Sequence, residues 1–179
     1  GWPAISVPTA AVASAVVATT LYLIDGNSLA YRAFFALPDT ISTSRGQPSN
    51  AIFGFASMLV KLFTEYGNNP TIVCWDRGTS GRKELDPRYK ANRPSKPDLL
   101  REQWPHFAPI VEAFGWHNVH VDGFEADDVI ASLAEIARTA ADPVPVVIVT
   151  GDRDSFQLID PEGHVTVMAT ARGITETKF

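Results

Sequence analysis

Three stretches of the chain, Leu21–Ile24, Thr71–Trp75 and Val144–Thr150, are continuous apolar runs rich in β-branched residues, without the polar alternation of a half-exposed strand. A strand of that kind is buried on both faces, which is the condition of a parallel sheet covered by helices. Shorter runs at Val119–Val121 and Val165–Met168 read as two further strands. Helical stretches lie between them. Ser28–Ala36 stops before Pro38, and Ser49 or Asn50 can cap a helix reaching about Tyr66, with Ile52, Phe55, Ala56, Leu59 and Phe63 on one stripe. A helix opening at Pro97 and Asp98 is broken near Pro105 and Pro109 and ends at Gly115. Glu125–Ala140 is a helix with an acidic first turn, and Ser155–Ile159 is a short helical turn. This alternation predicts an α/β fold in three layers, a mostly parallel sheet with helices on both faces, forming one domain from about residue 20 to residue 179.

The first residues stand apart. Gly1–Thr20 carries no charge and is mostly Ala, Val, Ser and Thr. It has neither the basic start of a signal peptide nor the Leu, Ile and Phe content of a spanning helix. Residues 1–19 are therefore set aside as an apolar extension of unknown role. The single cysteine, Cys74, cannot form an internal disulfide and sits in an apolar run, as a buried residue of a protein in a reducing, cytoplasmic setting does. With four histidines and no second cysteine, a Cys/His zinc centre is disfavoured.

Charge is distributed unevenly. The chain has 15 Lys+Arg against 20 Asp+Glu, a net −5, which excludes a generally basic nucleic-acid coat. Between Arg82 and Arg101, however, seven basic residues (Arg82, Lys83, Arg88, Lys90, Arg93, Lys96, Arg101) face three acidic ones, a local +4 against −9 elsewhere. Residues 77–97, punctuated by Gly78, Gly81, Pro87, Pro94 and Pro97, read as a long loop or a mobile helical insert.

The acids follow the strands. Asp25 ends the first run and Asp76 the second; Glu125, Asp127 and Asp128 follow the third, and Asp152 and Asp154 follow the fourth. The carboxyl ends of parallel strands form one rim, where ligands bind, so seven carboxylates are expected in one small region. Their mutual repulsion requires neutralisation. Only Arg77 and Arg153 lie directly beside them in sequence, so divalent cations are the better answer. An all-oxygen donor set favours Mg²⁺ or Mn²⁺ over zinc. Glu125 and Asp128 can share a helix face, and Asp152 and Asp154 can point the same way if the chain stays extended.

The segments LIDGNSLAYRAFFAL, TSRGQPSNAIFGFASML, RKELDPRYKANRP, GFEADDVIASLA and VTGDRDSFQL resemble the 5′-nuclease domain of bacterial DNA polymerase I, a PIN-like fold grouped with the flap endonucleases. The resemblance runs in order from about residue 20 to residue 179. It implies that the seven acids hold two divalent ions, Mg²⁺ or Mn²⁺, which cleave DNA phosphodiesters in replication and repair. It implies further that residues 77–96 are an arch over or through which a single-stranded 5′ end passes. Arg82, Lys90 and Arg93 match basic positions of that arch, with Arg82 and Lys90 acting on the scissile phosphate. Lys83, Arg88 and Lys96 are expected on backbone phosphates. Tyr31, Arg32 and Phe34 match the first helix beside the site, where Tyr31 or Phe34 can stack an unpaired base, although core packing is the commoner fate of Phe34 and Phe35.

The chain stops at RGITETKF, where this family continues into a helical region that carries two further acids and a duplex-gripping element. Seven of nine expected acids are therefore present. In the full-length protein a polymerase domain is expected in the same chain, acting as a cytoplasmic, bacterial monomer with no membrane partner. Two other readings stay open: a PIN-type ribonuclease acting on single-stranded RNA, and a non-catalytic segment that binds ions and single strands without turnover.

Overall fold

In the computed structural model, which describes residues 19–92 and 95–170, the apolar runs form one five-stranded parallel sheet. Its strands are β1 (Leu21–Asp25), β2 (Thr71–Cys74), β3 (His117–Val119), β4 (Val146–Thr150) and β5 (Val165–Ala169), in the order β3-β2-β1-β4-β5. Side chains alternate across it as the pleat requires. Tyr22, Ile24, Val73, Val147 and Val149 enter one core, while Leu23, Cys74, Val146 and Ile148 enter the other. The first core is closed by α1 (Gly26–Ala36), α2 (Asn50–Tyr66), α4 (Asp98–Gln103) and α5 (Phe107–Ala113). The second is closed by α6 (Ala126–Arg138). A one-turn helix, α3 (Arg82–Leu85), lies in the basic insert. The expected three layers are present, and Cys74 is buried. Residues 1–18 and the RGITETKF end, with Arg93, lie outside the described residues. Among the described residues, no helix is long and apolar enough to cross a membrane.

Several boundaries differ from the sequence reading. The third strand is His117–Val119, two residues earlier than expected, because Val119 is where the chain leaves its pairing with Cys74. The fourth begins at Val146, after Pro145 has given its carbonyl to the amide of Leu21. Ser49 makes no side-chain cap on α2. That end is capped from elsewhere in the chain: the buried Gln103 accepts hydrogen bonds from the amides of Ala51 and Ile52, at 2.8 and 3.1 Å. The buried stripe of α2 is Phe55, Met58, Leu59 and Leu62, and Phe63 is exposed. Pro109 sits within the first turn of α5, where its missing N–H has no partner to lose, so the only break is the 3₁₀ turn Trp104–His106.

The chain steps from β1 to β2 to β3 on one side, then returns to lay β4 on the other side of β1. This reversal opens a crevice above the carboxyl ends of β1 and β4, the position where such sheets bind ligands. The basic insert is tied to that rim at its base. Gly78 bridges Gly123, and a Cβ added at Gly78 would lie 2.3 Å from the Gly123 carbonyl carbon. Gly78→Ala is expected to cost about 1–3 kcal/mol of stability through forced backbone displacement. Denaturant unfolding checks this, and a variant as stable as the parent would refute it.

Candidate functional site

Asp25 ends β1 and caps α1. Its carboxylate accepts the amide of Ser28 at 2.9 Å and the hydroxyl of Thr150 at 3.0 Å, which fixes it at the join of β1 and β4. The same Thr150 hydroxyl accepts from the amide of Asp152, and Ser28 Oγ accepts from the amide of Gly151. Asp76, two residues beyond β2, is gripped by Asn27 at two points: Asn27 Nδ2 donates to its carboxylate and Asn27 Oδ1 accepts from its amide, both at 3.0 Å. The other carboxylate oxygen of Asp76 accepts the amide of Ala126 at 2.8 Å, which joins β2 to the start of α6. Asn27, Ser28 and Thr150 were not singled out from the sequence. They are short polar residues beside an acid, and only the crossing of α1 over the rim gives them a role.

Asp25, Asp76, Glu125, Asp127 and Asp152 line one cleft of about 550 Å³, together with Tyr31 and Lys90. Burial pushes the Asp25 carboxyl up to about 7, with the charges of Asp127 and Asp76 adding to the effect against the Ser28 and Thr150 hydrogen bonds. Asp127 is raised by burial and then by the charges of Asp152 and Asp76. Glu125 is only 4% exposed, and among the described residues its buried Oε1 has no hydrogen-bond partner.

The other two acids do not join them. Asp128 and Asp154 line a neighbouring recess of about 330 Å³, which shares Glu125 and Asp127 with the cleft. Successive helical residues point about 100° apart, so Asp128 turns away from Asp127. Glu125 precedes the first helical residue, yet it and Asp128 line the same recess and both reach Arg82. The chain does not stay extended after Asp152: a 3₁₀ turn over Arg153–Leu158 carries Asp154 to the other side. The seven acids thus gather in two adjoining recesses that share Glu125 and Asp127, five in the cleft and Asp128 and Asp154 in its neighbour.

Neutralisation by protein cations is also larger than sequence adjacency indicated. Arg82 holds Asp128 with two hydrogen bonds of 2.8 Å, and Lys90 Nζ lies 3.0 Å from Glu125 Oε2. Tyr89 OH donates to the same Glu125 oxygen at 3.2 Å. The Arg82 guanidinium holds Asp128 below the usual carboxylate range. Residues far in sequence thus supply what Arg77 and Arg153 do not. Arg77 instead pairs with the exposed Asp122.

The remaining predicted residues fall in three places. Tyr31 reaches the cleft, with its ring stacked near Phe35 and edge-on to Trp104. Arg32 is half-buried on α1, and Phe34 packs against the first core as expected, whereas Phe35 is 71% exposed and not a core residue. Lys83 and Arg88 are exposed, Arg88 being paired with Asp86. Lys96 lies over the Trp104 ring, 2.8 Å from its centroid, and burial pulls its ammonium down to about 8.

The sequence that builds this site matches a known family. The pattern described as "5'-3' exonuclease, N-terminal resolvase-like domain" matches residues 20–179. The chain belongs to that family. Among curated relatives, DNA polymerase I of Pseudomonas aeruginosa is 47% identical over 154 residues, and that of Bacillus subtilis is 38% identical over 160. These alignments take in 86% and 89% of this chain but 16% and 18% of the two relatives, so the chain spans under a fifth of their length. The 5′-3′ exonuclease N-terminal fold is seen in a bacteriophage T5 protein co-crystallised with metal ions (TM-score 0.65, 19% identity, 89% of this chain and 57% of that one). It is seen again in the bacteriophage T5 flap endonuclease in a complex with DNA and metal ions (TM-score 0.63, 22% identity, 89% and 57%). At these identities the likeness shows the fold.

Proposed function

We propose that this domain is a divalent-metal-dependent 5′-nuclease that hydrolyses phosphodiesters of DNA bearing a 5′ flap or an unpaired 5′ end. The observation that carries the reading is the cleft itself: five carboxylates from four strand ends, two of them with raised affinity for protons, under a lysine and an arginine of the basic insert. The relatives named DNA polymerase I, and the T5 flap endonuclease solved with DNA and metal ions, support it.

The residues fit hard cations. All donors are oxygens, and Glu125 offers a buried oxygen that no group among the described residues satisfies. Asp25, Asp76, Glu125, Asp127 and Asp152 would hold one ion, and the recess with Asp128 and Asp154 a second, so Mg²⁺ or Mn²⁺ in two positions is the proposed complement. When bound, such ions activate water and stabilise the leaving oxygen in an in-line displacement. The chain's own groups do the rest. Lys90 and Arg82 oppose the charge that develops on the scissile phosphate. Tyr31 faces the cleft, where it can stack an unpaired base irrespective of sequence. Lys83, Arg88, Lys96 and Arg93 add contacts to backbone phosphates, which makes affinity salt-dependent. The polymerase segment of the relatives is proposed for the longer protein to which residues 20–179 correspond.

The deciding experiment compares a labelled 5′-flap DNA with a single-stranded RNA of the same sequence, in Mg²⁺ or Mn²⁺ and in EDTA. Metal-dependent release of short 5′ products from DNA is expected. Faster cleavage of RNA would replace this reading with a ribonuclease, and no cleavage of either would leave a binding segment without turnover.

A further inference from the structure

Ser80 lies at the base of the basic insert in a backbone conformation that serine seldom adopts. Its φ is +54°, within the left-handed region where a Cβ is costly, and the next residue, Gly81, is also left-handed at +70°. Glycine would occupy position 80 with less strain. The only other described non-glycine residue with positive φ is Lys90, also at +54°. The two strained positions therefore bracket the segment whose side chains rest on the acids.

What a serine offers there is one short hydroxyl that both accepts and donates. Ser80 Oγ accepts the backbone amide of Glu125 at 2.9 Å and donates to the carboxylate of Asp128. Its own amide donates to Gly123 O at 2.8 Å, beside the Gly78–Gly123 bridge. Glu125, at the N-cap of α6, has no side-chain cap of its own, so the Ser80 hydroxyl satisfies an amide at the helix entry. One side chain thus joins the start of α6, the Asp128 carboxylate and the insert.

We infer that Ser80 is a positioning residue, which seats the basic insert on α6 so that Arg82 and Lys90 stand over the acid cluster. The catalytic part of this inference rests on the nuclease reading above; the docking part does not. Loss of the hydroxyl removes one partner of Asp128, which keeps Arg82 and the Glu125 amide, and weakens the seating of the insert on the helix that carries Glu125, Asp127 and Asp128. The local backbone strain, by contrast, is relieved by glycine and kept by alanine.

The test uses the whole chain with Ser80→Gly and Ser80→Ala. Trypsin cleavage after Lys83, Arg88 and Lys90 in EDTA is expected to be about tenfold faster in both, the size expected for one lost hydrogen-bonded tie. Thermal melting of Ser80→Gly is expected to be no lower than the parent, so that faster proteolysis reports loss of docking and not of fold. On flap DNA, kcat is expected to fall about tenfold with KM little changed. Unchanged trypsin rates in Ser80→Ala, which keeps the backbone strain and lacks only the hydroxyl, would overturn the inference, and faster proteolysis there supports it whatever the rate in Ser80→Gly, where relief of strain acts the other way. A parent chain that cuts no DNA would overturn the nuclease reading alone, since melting and proteolysis still decide the docking role.

Discussion

Asp127→Asn is expected to lower metal-dependent cleavage of flap DNA by more than about 100-fold, beyond the usual effect of removing an outer partner of a metal ligand. Asp127 is half-buried in the cleft, and the charges of Asp152 and Asp76 oppose its ionised form, so its carboxylate is where a cation gains most. Asparagine is nearly isosteric, and removing one of several like charges relieves repulsion. The cation-free variant should therefore melt at or above the parent temperature. Asp76→Asn is expected to match it in activity but not in stability, because Asp76 also accepts the amide of Ala126 and one amide of Asn27. Cleavage rates with melting curves in EDTA check both. A parent-like rate in Asp127→Asn would sink the assignment of this cleft to catalysis.

In EDTA, stability is expected to fall as pH rises from about 4 to about 7, and Asp25→Asn should remove much of that slope. Burial pushes the Asp25 carboxyl up to about 7 in the fold, from 3.8 for the free side chain. Between those values the folded state holds a proton that the unfolded state has released, so each step up in pH favours unfolding until the folded group has ionised as well. The shift corresponds to roughly 4 kcal/mol, fully present below about pH 4 and absent above about pH 7. Asp127 is raised too and contributes in the same direction, whereas Asp128, lowered by Arg82, opposes it at the acid end. Mg²⁺ binds the ionised carboxylates, so its addition should stabilise the protein more at pH 8 than at pH 5. Melting curves across pH 4–8 with and without Mg²⁺ check this, and a parent chain that gains stability across pH 4–7 in EDTA would refute the role given to Asp25.

The strands were legible because a strand buried on both faces is apolar along its length, and β1 and β4 are so up to their last residues, Asp25 and Thr150. The acids were legible because a parallel sheet puts all its carboxyl ends on one rim, so a residue after a strand has its place set by topology alone. That covered Asp25, Asp76, Glu125, Asp127 and Asp152. It did not separate Asp128 and Asp154 from them, since side-chain direction depends on whether the local chain is helical or extended, and residues 125–128 and 152–154 leave both open. Nor did sequence neighbours identify the counter-charges. Arg77 and Arg153 are adjacent to acids, yet Arg82 and Lys90 are the cations that meet them, because the insert folds back onto α6.

What this sequence determined by itself was the order of its elements and the rim where the acids gather, both consequences of local hydrophobic pattern and of the parallel sheet. Only the tertiary structure decided which polar groups pair: Gln103 capping α2 from 52 residues away, Asn27 gripping Asp76 across 49, and Ser80 tying the insert to Glu125 across 45. Burial at each element is a property of its own periodicity. A hydrogen bond needs two groups within about 3 Å, and for groups far apart in sequence that distance is set by how the helices cross the sheet.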